Sequence, residues 1–92
     1  MQNGYVLMDR GMEKRQYISA IISNGHPEKP VVYWTDRLED AKVWKNPKFA
    51  VAAAKKIGSG EVWLFEIHDG YRKLVATYIN GFGLVKTKVE GG

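Results

Sequence analysis

The sequence predicts an α+β domain in which a mostly antiparallel sheet of four to six strands carries one main helix and one short helical turn. Three observations predict this fold. Short runs rich in β-branched and aromatic residues recur along the chain between turn-forming residues. One alanine-rich segment near residue 50 carries helix signals at both ends. No repeat or linker interrupts the 92 residues, so we expect a single domain over 1–92.

The first half of the chain predicts three strands and the short helical turn. The strands are expected over residues 5–8, 16–22 and 31–34, where β-branched and aromatic residues dominate. Asn24-Gly25 ends the second strand, because both residues tolerate positive φ. Asp36 and Glu39 then have the spacing of a capping box, which predicts a turn or short helix over 37–42.

The main helix is predicted over Pro47–Ile57. Asn46 is placed as the N-cap, and proline at the first helical position is favourable because its missing N–H has no partner there. Gly58 stands where a left-handed cap would end the helix. The expected buried stripe recurs at four-residue spacing and is flanked by further alanines: Phe49, Ala53 and Ile57, with Ala50 and Ala54.

The second half predicts strands over residues 61–67, 73–79 and 84–89. Asp69-Gly70 is a strong hairpin turn signal between the first two of them. In the segment 61–67 the apolar residues fall on both faces of the strand. A helix of about 16 Å cannot cover both faces of a sheet. The remaining face is therefore expected to be covered by the segment after Arg37, by loops, or by a second copy in a homodimer.

Composition narrows the function classes. The chain has no cysteine, so it lacks disulfides and thiol nucleophiles. It has no apolar run of membrane-spanning length, and its first residues do not resemble a signal peptide, so we expect a cytoplasmic protein. His68-Asp69 lacks the spaced partners of a metal site, and Gly81 and Gly83 do not form a phosphate loop. We therefore expect no enzyme, cofactor or metal.

Binding is the function class that remains. Lysines are interleaved with tryptophans in the central region, and the formal charge is +4, which leaves open a nucleic-acid or nucleotide-binding module. A pocket for a phosphorylated small molecule would use Arg72 and Lys73 with tyrosines. The candidate binding residues are those that are hardest to place in a hydrophobic core: Tyr33, Trp34, Lys45, Lys48, Tyr71 and Arg72.

From residue 31 onwards the order of features is similar to that of small phage and prophage accessory proteins. The segment 33–36 reads Tyr-Trp-Thr-Asp, the segment 40–44 reads Asp-Ala-Lys-Val-Trp, and an alanine-rich helix follows. Trp44 stands where these proteins usually have Phe. The resemblance covers about two-thirds of the chain and implies no active site. It implies a phage-type protein that binds a host or phage macromolecule in the host cytoplasm and inhibits, for example, a component of host defence.

Overall fold

The computed structural model describes residues 3–9, 16–22, 31–57 and 60–86. These residues contain six strands, one α-helix and one 3₁₀ turn. Their bounds are β1 (Gly4–Asp9), β2 (Gln16–Ile22), β3 (Val31–Thr35), a 3₁₀ turn (Leu38–Asp40), α1 (Pro47–Ile57), β4 (Glu61–His68), β5 (Tyr71–Ile79) and β6 (Gly83–Lys86). The strands form one sheet in the order β3-β2-β1-β4-β5-β6, and every neighbouring pair is antiparallel. The predicted α+β fold is confirmed.

The turns that join the second group of strands follow from their residues. Asp69 and Gly70 have φ of 50° and 82° and link β4 to β5 through a two-residue turn, as predicted. The described part of the last strand reaches Lys86, and residues 87–89 of its predicted range lie outside the described residues. The predicted turn at Asn24-Gly25 also lies outside them. No helix of the described residues is long and apolar enough to span a membrane.

The start of α1 is the one predicted, whereas the predicted capping box is wrong. The Lys48 backbone N–H donates to Asn46 Oδ1 at 2.9 Å, which caps the helix one residue before Pro47. The 3₁₀ turn has no side-chain cap. The N-cap residue is Arg37 rather than Asp36, and the Glu39 carboxylate accepts hydrogen bonds from the guanidinium of Arg37 in an exposed ion pair.

α1 packs on one face of the sheet through small side chains. Ala50, Ala53 and Ala54 are buried there against Leu7 and Leu64, in a cluster that we call the helix-side core. The predicted place of Phe49 in this stripe is wrong, because its side chain is 67% exposed. Alanines bring the helix axis close to the strands, so a phenyl ring at the first turn has no space between them.

A short segment after the 3₁₀ turn lies between β1 and β2. These two strands pair only at Met8 and Asp9, so they separate towards the start of β1. Residues 41–44 occupy the gap: the Lys42 N–H donates to the Ile18 carbonyl at 2.8 Å, and Trp44 exchanges two backbone hydrogen bonds of 2.8 Å with Tyr5. The segment therefore behaves as an additional partial strand that leads the chain to the start of α1.

The other face of the sheet is covered by the same segment. The second core on that face contains Val6, Met8, Tyr17, Ala41, Phe65 and Ile67. Leu38 and Val43 pack against it, and the Arg72 guanidinium lies 4.9 Å from the centre of the Phe65 ring. Among the described residues, the segment after Arg37, which is one of the expected coverings, packs on this face. A second copy is not needed to bury Phe65, which is 5% exposed.

The close approach of residues 43–44 to β1 gives a stability prediction. A Cβ on Gly4 would lie 2.5 Å from Val43 Cγ1 and 2.7 Å from the Trp44 carbonyl oxygen. The oxygen is held by its hydrogen bond to Tyr5 and cannot move away freely. We expect Gly4→Ala to lower the free energy of unfolding by about 1–3 kcal/mol, measured by urea unfolding followed by tryptophan fluorescence.

The matched control for this substitution is Gly60→Ala. A Cβ there meets no atom within 4 Å, so the change in unfolding free energy should stay within about 0.5 kcal/mol. Equal changes in unfolding free energy for the two substitutions would contradict the prediction that the close contact between β1 and residues 43–44 excludes a side chain at residue 4.

Candidate functional site

A groove of about 610 Å³ lies between one flank of α1 and the helix-side face of the sheet. Its wall comes from the helix, and its floor comes from β1, β4, β5 and the edge strand β6. The lining residues are Tyr5, Pro47, Lys48, Val51, Ala52, Lys55, Leu64, Glu66, Val75, Ala76, Leu84 and Lys86. The volume is within the range of about 300–1,000 Å³ that is usual for binding sites.

The groove exists because the helix is narrower than the sheet. Six strands at about 4.8 Å spacing span roughly 24 Å, whereas a helix with its side chains is about 10 Å across. α1 rests on its alanines and contacts β1, β4 and β5. Its neighbouring flank, with Pro47, Val51 and Lys55 at four-residue spacing, then stands beside an uncovered part of the sheet.

The floor of the groove is apolar. Leu64 and Ala76 are buried at its base, and Leu84 on β6 is 41% exposed at its outer side. Between β4 and β5 the register shifts, so that Leu64 and Phe65 pair with Ala76 and Leu74. The extra residue is Val75, and such a bulge changes the direction of side chains locally. Val75 and Ala76 consequently both line the groove.

The rim of the groove is basic. Lys48 and Lys55 lie on the helix wall, and Lys86 lies on the strand side. None of the three forms an ion pair with a carboxylate among the described residues. Glu66 is the one acidic residue among the lining residues. The groove thus combines an apolar floor with a net positive rim, which attracts anionic groups from solution.

Glu66 and Tyr5 form a polar pair at one end of the groove. They are directly opposite each other in the β1–β4 ladder, and the Tyr5 hydroxyl donates to Glu66 Oε2 at 3.3 Å. Partial burial, together with the negative charge and hydrogen bond of Glu66, raises the pKa of Tyr5 above 10.0. Both residues also line a smaller polar pocket of about 310 Å³ that contains Lys45. The pair therefore separates two adjoining depressions.

Of the residues predicted for binding, only two lie at this site. Lys48 lines the groove and Lys45 lines the adjoining pocket. Tyr33 and Trp34 lie on β3, at the opposite edge of the sheet. Trp34 packs against the helix-side core, so its ring is partly used in folding.

Tyr71 and Arg72 begin β5, and the structure does not bring them to the groove. Tyr71 is 80% exposed beside the β4–β5 turn. Arg72 donates a hydrogen bond to the Tyr17 hydroxyl on the second core. Arg72 and its neighbour Lys73 pair with Ile67 and Glu66 respectively, on opposite faces of the sheet. They therefore cannot line one phosphate pocket together.

Other groove residues were missed by the sequence reasoning. Val51 could have been found, because residues 48, 51, 52 and 55 recur on one flank of the predicted helix. Lys55 belongs to the central lysines that left nucleic-acid binding open, although it was not among the candidate binding residues. Glu66 and Lys86 enter the site through strand register, which a sequence pattern does not give.

The described residues contain no group of three or more His, Cys, Asp or Glu side chains that is placed to hold a metal ion. His68 and Asp69 lie 3.3 Å apart, but their side chains are about three-quarters exposed at the turn. No known protein family, curated protein or solved structure matches this chain.

The Tyr5–Glu66 pair predicts a dependence of stability on alkaline pH. The unfolded Tyr5 releases its proton near 10.0, and the folded one releases it at a higher pH. Stability from this residue is therefore complete below pH 10 and decreases as the pH rises through the folded pKa. We expect Tyr5→Phe to make thermal stability less sensitive to pH in this range. Glu66→Gln should lower the pKa of Tyr5, measured by a pH titration followed by NMR of labelled tyrosine rings. A Tyr5 pKa unchanged by Glu66→Gln would contradict this coupling.

Proposed function

We propose that this chain is a protein-binding domain that holds an acidic, apolar segment of a partner protein in the groove beside α1. The observation that carries the proposal is the combination of an uncovered apolar floor with three lysines that lack acidic partners among the described residues. Apolar contact with the floor supplies affinity, and the lysines favour acidic segments over basic ones.

A protein segment fits this groove better than a small ligand does. Small-molecule sites usually bury most of the ligand surface. Here the outer side of the floor is Leu84 on an edge strand, and this side chain is 41% exposed before anything binds. A longer chain can cover such an open floor and continue past the lysines on either side.

Nucleic-acid binding is the competing function, and the positions of the tryptophans favour the protein segment. Stacking of bases requires free aromatic faces. Trp34 and Trp44 both pack against the helix-side core, and the Lys42 ammonium lies 5.5 Å from the centre of the Trp44 ring. The lysines of the groove surround mostly aliphatic side chains, which do not stack with bases, and the one aromatic residue of the lining, Tyr5, is hydrogen-bonded to Glu66 at one end.

The resemblance to phage and prophage accessory proteins supplies a biological setting for this proposal. In that setting the partner is a host or phage protein, and occupation of the groove blocks one of its interactions, for instance in host defence. The groove specifies the chemistry of the bound segment, namely apolar residues next to acidic ones.

The apolar floor can be tested with neighbouring residues of one strand. Peptides are selected from a random displayed library, and the dissociation constant of a selected peptide is measured by fluorescence anisotropy. Leu84 faces the groove, whereas Val85, which is 47% exposed, points to the other face. Loss of the leucine contact should weaken binding of the peptide to Leu84→Ser about tenfold or more. Val85→Ser should bind like the unmodified protein, and equal weakening would place the peptide elsewhere.

The basic rim can be tested with neighbouring residues of α1. Lys55 lines the groove and Lys56 does not, although both are exposed in the last turn of the helix. Lys55→Glu should weaken binding of the selected peptide about tenfold, with a much smaller effect of Lys56→Glu. The selected peptides should be enriched in Asp and Glu.

Two results would contradict the proposal. The first is selection of peptides without acidic residues. The second is binding of single- or double-stranded DNA at low salt that Lys55→Glu abolishes and Leu84→Ser leaves unchanged, because this pattern would assign the groove to nucleic acid.

A further inference from the structure

The two edges of the sheet differ in composition. β3 and β6 are the edge strands of the described sheet. β6 carries Lys86, and a charge of this kind opposes pairing with another strand. β3 has the sequence Val-Val-Tyr-Trp-Thr, without a charged residue. Val31 and Tyr33 are 42% and 52% exposed on this strand. An uncharged, apolar edge is a surface on which a further strand can pair.

We propose that the edge of β3 is an interface with a second copy of this chain, in which two β3 strands pair antiparallel about a twofold axis at Tyr33. In this register Tyr33 lies opposite the partner's Tyr33, Val32 lies opposite the partner's Trp34, and Val31 lies opposite the partner's Thr35. The two sheets then become one sheet with the groove of each copy at an outer end. This interface is independent of the proposed function of the groove.

The strand is complementary to itself, and this favours a second copy over an unrelated strand. Val31–Thr35 has an odd number of residues, so an antiparallel pair centred on Tyr33 matches its whole length. Opposite residues lie on the same face of a sheet. Val32 and Trp34 both point to the helix-side core, so each pairs with an apolar side chain that extends this core across the interface.

The opposite face gives a second apolar contact. Tyr33 lies there opposite Ala20, and Ile22, which is 43% exposed, lies opposite Val31. Pairing of two copies would put both Tyr33 rings together and shield the neighbouring aliphatic side chains. No like charges face each other within the five residues.

The expected dimer depends on concentration. One pair of five-residue strands buries less surface than the roughly 1,200 Å² that is usual for stable complexes. We therefore expect light scattering over about a hundredfold range of concentration to show monomer at the low end and dimer at the high end.

The interface is tested by two variants, each of which introduces a positive charge on one edge strand of the sheet. Tyr33→Lys places two ammonium groups at the twofold axis and should leave the protein monomeric over the whole range. Val85→Lys adds the same charge to the other edge strand and should not change the dimer. Circular dichroism checks that both variants fold. A protein that is monomeric at every concentration, or dimerisation of Tyr33→Lys equal to that of the unmodified chain, would overturn the proposal.

The register is tested with single cysteines, since the chain has none of its own. Opposite residues of an antiparallel pair have Cα atoms about 4.5–5.5 Å apart, a distance that a disulfide can span. Tyr33→Cys should give a covalent dimer under mild oxidation. Val31→Cys should not, because the proposed register separates the two copies of residue 31 by about 14 Å. Cross-linking of Val31→Cys in preference to Tyr33→Cys would rule out this register.

Discussion

The arrangement of this molecule depends on the backbone hydrogen bonds that residues 41–44 make with β1 and β2. β1 and β2 pair at one end only, and the gap between them would leave backbone groups without partners. The backbone N–H and carbonyl of Trp44 pair with those of Tyr5, and the Lys42 N–H donates to the Ile18 carbonyl. Because side chains alternate along the inserted segment, Ala41 and Val43 reach the second core while Trp44 reaches the helix-side core. One short segment thus covers part of both faces and fixes where α1 begins.

The position of α1 in turn determines the groove. The helix starts directly after the inserted segment, next to β1, and it rests on alanines that bring it close to β1, β4 and β5. A helix with larger side chains on this flank would cover β6 as well. Since this helix does not, the apolar residues of β5 and β6 on that face remain accessible beside its lysines. Residues 38–43 pack on the sheet face that the sequence left uncovered, so the surface that remains for binding is this narrower groove.

The sequence was sufficient for the features that local chemistry determines. Asn46-Pro47 predicted the start of α1, and Asp69-Gly70 predicted the β4–β5 turn, because each acts through its own backbone conformation. The exposure of Phe49 and the pairing of Arg37 with Glu39 could not be predicted in this way. The first depends on how closely the helix approaches the sheet, and the second depends on which of its nearby partners the Glu39 carboxylate accepts from. The groove itself was not predicted, because its floor requires the register of β4, β5 and β6. Among the candidate binding residues, Lys48 lines the groove and Lys45 lines the adjoining pocket.

The two proposed surfaces lie at opposite edges of one sheet, so one does not obstruct the other. Pairing of two copies through β3 would leave the grooves roughly 40 Å apart along the sheet, counted at about 4.8 Å per strand. A partner with two acidic, apolar segments at that separation could then occupy both grooves, and the second contact would be intramolecular. Such a partner would bind the dimer more tightly than a single segment does, without any new contact. Weak self-association through the uncharged edge of β3 would in this way increase the overall affinity for such a partner above that of a single groove.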